Sequence, residues 1–186
     1  MIAYKGFTSK LTGHGGYQFK AGETVEETRS KTVSGGFHCT ENPFECLTYF
    51  SLGRGNRYFQ VEASGDIDED GSERIACTKM TLLKELTLKE LAGYGMIYMI
   101  QHPLRKNWEQ QKSHLTVAKN EAAAVTGEDI AISRGPEPKV KGKIGSILGL
   151  IIEPEEGNIT GAKLFVCKKE DTWYTLRAGR KLEEVE

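Results

Sequence analysis

Reactive side chains are sparse in this 186-residue chain, which has four cysteines and four histidines. They are densest in Gly36-Phe37-His38-Cys39-Thr40-Glu41-Asn42-Pro43-Phe44-Glu45-Cys46. His38 and Cys39 are adjacent, so on a strand they point to opposite faces and cannot form a nucleophile–base pair with each other. A Cys–His dyad would need His14, His102 or His114 to approach Cys39 or Cys46, and no spacing requires that. The simpler expectations are a buried structural thiol and a hydrogen-bonded structural imidazole.

Metal and phosphate sites are expected to be absent. Asp66-Ile67-Asp68-Glu69-Asp70-Gly71 copies the start of a calcium-binding loop, with carboxylates at positions one, three and five and glycine at six. The closing position falls on Cys77, where a bidentate Glu is needed, so an acidic turn is the better reading. Zinc fits no better, because no Cys-x-x-Cys or paired-His spacing occurs. Gly142-Lys143-Ile144-Gly145 lacks the order of a phosphate loop, and no amphipathic helix follows Gly13-His14-Gly15-Gly16. Trp108, set among Arg105, Lys106, Asn107, Gln110 and Gln111, is the best candidate for an exposed partner-binding anchor, with a ring lying flat over the preceding helix as the equal alternative.

The elements that must position these residues read as follows. Met1–Phe7 alternates as a strand, and Tyr17–Val25 suggests a second strand or hairpin. Glu26–Ser34 is polar and irregular. In the central stretch Asn42 caps a helical segment that opens on Pro43, and Phe44, Leu47, Tyr49 and Phe50 place its apolar face on a sheet. Arg57–Ala63 alternates cleanly, whereas Arg74–Leu86 is ambiguous between strand and turn. Thr87 and Glu90 form a capping-box pattern for a helix over Thr87–Gln101 that Pro103 ends. Gly93 and Gly95 weaken that helix by roughly 1 kcal/mol each.

Beyond Thr116 short apolar clusters are separated by Gly127, Gly135, Gly142 and Gly149, at intervals of eight, seven and seven. That spacing suits a β-roll whose rungs must be covered by a neighbouring domain or by copies of themselves. A hairpin across Pro154–Gly161 and a closing strand at Asp171–Leu176 complete the chain. The expected fold is therefore α+β: an antiparallel sheet with two helices over residues 1–115, then a short β-roll and hairpin over 116–186.

Tyr4-Lys5-Gly6-Phe7, Gly36-Phe37-His38-Cys39 with Glu41-Asn42-Pro43, the glycine-spaced rungs and Asp171-Thr172-Trp173-Tyr174-Thr175-Leu176 together resemble an uncharacterised family found in bacteria and their phages. The first 65 residues more distantly resemble ADP-ribosyltransferases. That likeness implies NAD as cofactor, with Tyr4 and Lys5 in the first motif, His38 beside the cleft, Tyr49 stacking on nicotinamide and Glu62 as the acid. Lys5 stands where that family has His or Arg, and no Ser-Thr-Ser motif appears.

Composition bounds what remains. With 25 basic against 26 acidic residues, nucleic acid is disfavoured as a partner. No run of about 18 apolar residues and no leader-like N-terminus appear, so no membrane span is expected and a cytoplasmic protein of a bacterial host is the reading. The leading expectation is a phage-associated accessory protein that needs no cofactor. It would bind a macromolecular partner, for example as an inhibitor of a host or defence component, and self-associate through the β-roll. The rival is an NAD-dependent ADP-ribosyltransferase with a degenerate motif.

Overall fold

Alternation at the N-terminus forms β1 (Ile2–Phe7) in the computed structural model, which describes residues 1–28, 35–69, 73–177 and 181–185. Residues 29–34 of the polar stretch, and Asp70 and Gly71 of the acidic one, lie outside the described residues. The chain divides into two units, Met1–Leu91 and Ala92–Glu186. The change in composition had suggested a division at 115/116; the observed one falls inside a helix.

In the first unit β1 is followed by β2 (Thr24–Glu26), β3 (Phe37–Thr40), β4 (Arg57–Glu69) and β5 (Arg74–Glu85), and every pairing is antiparallel. The order is β2-β5-β3-β1-β4, and β4 also pairs with β5. Strands β1, β3, β5 and β4 thus form a closed ring. Its core includes Ala3, Phe7, Phe37, Cys39, Val61, Cys77 and Met80. Register follows the buried face: Ala3 lies opposite Val61, and Phe37 opposite Cys77.

The acidic segment was expected to turn, yet Asp66–Glu69 continues β4, with Asp68 paired to Ala76. A register shift between Ser64 and Ile67 makes this possible. Gly65 there takes a φ of 75°, and a Cβ on it would lie 2.2 Å from Thr78 Oγ1. Only glycine suits that kink.

Between β3 and β4, Asn42 Oδ1 accepts a hydrogen bond from the Phe44 N–H at 3.1 Å, and Pro43 opens the turn. The segment is shorter than a regular amphipathic helix. A 3-10 turn at Pro43–Glu45 runs into α1 (Cys46–Tyr49), and Phe50 then leaves the helix at φ −130°, ψ 84°. Phe50 occupies the space over Gly6, where a Cβ would come within 2.8 Å of its ring. The helix α2 (Leu88–Gln101) opens on the expected capping box: Glu90 N–H donates to Thr87 Oγ1 at 3.2 Å, and Thr87 N–H to Glu90 Oε2 at 2.9 Å.

The second unit contains β6 (Gln110–Lys112), β7 (Leu115–Ala123), β8 (Ile130–Lys141), β9 (Ile147–Ile152), β10 (Gly161–Val166), β11 (Trp173–Arg177) and β12 (Lys181–Val185). Strands β7, β8 and β9 run parallel, with Leu115 opposite Ile130 and Ile130 opposite Ile147. Each coil thus spans two of the glycine intervals. Gly127 and Gly142 sit between strands, whereas Gly135 and Gly149 lie within them. β9 and β10 form the expected hairpin, and β11 pairs with β8 and β12.

The apolar rungs are already covered within this unit. Ile130, Ala131, Ile132, Leu148 and Leu150 are buried. Met96 of α2 lies so close to Gly149 that a Cβ there would be 2.7 Å from its sulfur. The exposed stack from which self-association was expected is therefore not seen; the large apolar residues exposed among the described residues of this unit are Ile97, Ile100, Leu104, Val125 and Ile144, the last two in the connections between coils. The fold as a whole is α+β, mostly sheet with two short helices. No helix among the described residues is long and apolar enough to cross a membrane.

Candidate functional site

A cleft of about 700 Å³ opens in the first unit, a volume ordinary for a small-molecule or cofactor site. Four elements build its walls: β1 gives Tyr4, Lys5 and Gly6; the loop after it gives Gly13–Tyr17; β3 gives Phe37–Thr40; the helical segment gives Glu45, Cys46 and Tyr49, with Phe50 just beyond. Phe19, Glu27, Gly36 and Arg74 complete the lining.

Lys5 forms the floor. Its residue is half-buried overall but its ammonium is enclosed, and it donates a hydrogen bond to the His38 carbonyl. The same ammonium lies 5.6 Å from the ring centres of both Phe7 and Phe19, within reach of cation–π attraction. Burial pulls the Lys5 pKa down, and the neighbouring Cys39, Cys46 and Cys77 partly restore it.

Those three thiols are a second feature of the floor. A hydrogen bond links the Cys39 and Cys77 side chains. It raises the Cys39 pKa well above that of an ordinary thiol, and burial and the charge on Cys77 add to the rise. The same bond lowers the Cys77 pKa, against the effect of burial, and the backbone of Ser64 and the charge on Lys5 reinforce the lowering. Cys77 is fully buried, but Cys39 and Cys46 line the cleft. Among the described residues, no three of His, Cys, Asp and Glu are grouped so as to hold a metal ion.

Aromatic rings make the wall. His14 meets Tyr49 edge-on at 5.7 Å and tilts against Phe50 at 5.2 Å. Tyr17 packs against Phe19 and Phe37 at 4.9 and 5.4 Å. Tyr49 remains 47% exposed, and Arg74 Nη1 donates to its hydroxyl at 3.4 Å. Tyr58 anchors the far side of the wall, donating from its hydroxyl to the Phe50 carbonyl at 2.6 Å; burial raises its pKa first, with Cys46 adding to the rise.

Of the residues singled out by the transferase likeness, the cleft brings together Tyr4, Lys5, His38 and Tyr49. Glu62 is exposed, lies opposite Ile2 on β1, and is not among the lining residues. The carboxylates that do line the cleft are Glu27, which accepts from the Gly36 N–H at 3.2 Å, and Glu45, which accepts from the Thr48 hydroxyl at 3.2 Å. Glu45 lies four residues before Tyr49 and is visible in the sequence as part of the central stretch. Glu27, Arg74 and Tyr17 carry no local signal, because only the closed ring of strands brings them to the cleft.

Trp108 belongs to the second unit and is half-buried there, not an exposed anchor. The Arg134 guanidinium stacks 4.6 Å from its ring centre. Arg134 is itself 1% exposed and makes a two-pronged ion pair with Glu153: Nε donates to Oε2 at 2.7 Å, and Nη2 to Oε1. Nη2 also donates to the Pro103 carbonyl at 2.6 Å. The polar sequence around Trp108 therefore accompanies a ring that covers a buried cation.

Residues 1–93 match the model of a family described as a domain of unknown function, DUF7666, and the chain belongs to that family. The match covers the whole cleft and ends within α2, before the parallel coils begin. No curated protein matches the chain.

Proposed function

We propose that the first unit binds NAD in this cleft and acts as an ADP-ribosyltransferase-like site. The observation that carries the reading is the gathering of Tyr4, Lys5, His38 and Tyr49 around one cavity large enough for a dinucleotide. Tyr49, half-exposed on the rim, is placed to stack on the nicotinamide ring. Lys5 takes the position of the basic residue in the first transferase motif. Glu45 and Glu27 replace Glu62 as candidate acids, since a carboxylate must lie near the ribose to stabilise the charge that develops as the nicotinamide bond breaks.

The macromolecular partner of the accessory-protein reading then becomes the acceptor of the transferred group. A protein that only binds such a partner predicts no response to NAD. The test is thermal unfolding of the full chain with millimolar NAD, paired with chromatographic detection of released nicotinamide. Ligand at 100 times its Kd stabilises by about 2.7 kcal/mol, a shift that is readily measured. Stabilisation that disappears in Tyr49→Ala supports the site, and nicotinamide release supports the chemistry. No stabilisation by millimolar NAD in the wild-type chain rejects the reading.

A further inference from the structure

We propose that the cleft takes a monocarboxylic acid with a flat apolar body, its carboxylate on the Lys5 ammonium and its body against Tyr17, Phe19 and Phe37. Strand β1 aims Lys5 there. Lys5 alternates with Ala3 and Phe7, both in the core cluster, so its side chain leaves β1 on the core face. β1 pairs with β4 along its whole length, and β3 with β5 along its own. β1 and β3, however, are joined at the single pair Tyr4–Thr40. Beyond it the two strands part, both line the cleft, and the Lys5 ammonium reaches over to the His38 carbonyl.

An ammonium carries three N–H donors. One goes to the His38 carbonyl; among the described residues the other two meet no acceptor, and no carboxylate pairs with Lys5. A ligand carboxylate brings two oxygens for those two donors and one negative charge for the one positive charge. Burial lowers the Lys5 pKa, and an anion on the ammonium acts in the opposite direction. The other Lys or Arg of the lining, Arg74, donates to the Tyr49 hydroxyl at 3.4 Å. A dianionic phosphate monoester therefore finds one cation at the floor where it needs two. The body has a matching wall. Phe19 lies 5.6 Å from the ammonium and 5.6 Å from Phe37, and Tyr17 lies 4.9 and 5.4 Å from the same two rings. All three rings line the cleft. An acid so placed would compete with NAD for the floor, but the proposal does not rest on NAD binding.

The experiment titrates the full chain with benzoate, benzyl alcohol, acetate and phenyl phosphate and follows the backbone amide signals by NMR. Benzoate should shift the amides of β1 and β3 and bind roughly tenfold or more tighter than benzyl alcohol, as a hydrogen bond to a charged group implies. It should also bind more tightly than acetate, which lacks the body. The preference for benzoate over benzyl alcohol should vanish in Lys5→Met. Equal affinities for those two probes, a preference unchanged in Lys5→Met, acetate binding as tightly as benzoate, or phenyl phosphate binding more tightly would each overturn the proposal. The wild-type comparison decides it even if Lys5→Met fails to fold. Benzoate binding in a chain that does not respond to NAD supports this inference and removes the transferase reading; a response to NAD with no benzoate binding does the reverse.

Discussion

Replacing Glu153 with Ala tests the second unit at its most heavily committed point. Glu153 accepts from Arg134 Nε at 2.7 Å, from Arg134 Nη2, and from the Gly157 N–H at 2.8 Å. Without it the guanidinium, 1% exposed, keeps only the Pro103 carbonyl and the Trp108 ring. Removing one partner of a buried ion pair costs about 3–5 kcal/mol. With a urea slope of about 1–3 kcal/mol per molar, the unfolding midpoint should fall by at least about 1 M. Both tryptophans, Trp108 and Trp173, lie in this unit, so their fluorescence reports its unfolding. The pair is also imperfect, because Arg134 Nη1 has no hydrogen-bond partner. The double change Arg134→Met with Glu153→Met should therefore recover most of the loss, as apolar replacement of buried pairs often does. A loss below about 1 kcal/mol in Glu153→Ala, or a double variant as unstable as the single one, refutes the reasoning.

Acid should expose the same pair. Burial pushes the Glu153 carboxyl up, but the hydrogen bonds from Arg134 and Gly157 and the charges of Arg134 and Lys119 outweigh it and hold the pKa below the ordinary carboxylate value. A depressed carboxylate contributes its stability above the ordinary pKa and loses it as pH falls through the lowered one. Glu153→Gln should lack that part of the acid loss in urea titrations. Lys5 has a pH dependence of the same sign in a more alkaline range: burial lowers its pKa, so the folded chain binds fewer protons than the unfolded chain between that value and 10.5. Wild-type stability should rise with pH across that interval, and Lys5→Met should flatten the rise. Gly6→Ala forces a Cβ to within 2.8 Å of Phe50. It should cost about 1–3 kcal/mol in the first unit and weaken ligand binding, and unchanged thermal stability would count against the contact.

Local signals were legible, and long-range ones were not. The caps at Asn42 and Thr87 depend on residues two or three positions away, so residue order sufficed to find them. The alternation of Arg57–Ala63 and the hairpin after β9 were visible for the same reason. The acidic run Asp66–Glu69 looked like a turn because composition says nothing about partners; pairing with β5 makes it a strand. Glu62 was the carboxylate nearest in sequence order to the transferase pattern, yet Val61 takes the buried position and Glu62 remains exposed. Arg134 lies on β8 and Glu153 just past the end of β9, and no local pattern couples a basic residue to an acid 19 positions away. The glycine spacing was visible, but it marked half of each coil, because strand interiors and connections both use glycine.

The four residues Tyr4-Lys5-Gly6-Phe7 draw these threads together, since each has a different task on one short strand. Phe7 joins the core of the closed ring, and Gly6 leaves room for Phe50, whose ring also meets His14. Lys5 brings its cation to the floor among three thiols, and Tyr4 lines the opening above it. Holding an ammonium in an apolar ring carries a desolvation penalty that lowers its pKa, and the neighbouring thiols offset it only in part. A purely structural strand would gain more from a methionine at that position. The buried ammonium of Lys5 therefore points to a task in the groups around it rather than in the strand. The proposed ligand site depends on that one cation, and Lys5→Met should impair it while leaving the Arg134–Glu153 pair of the second unit untouched.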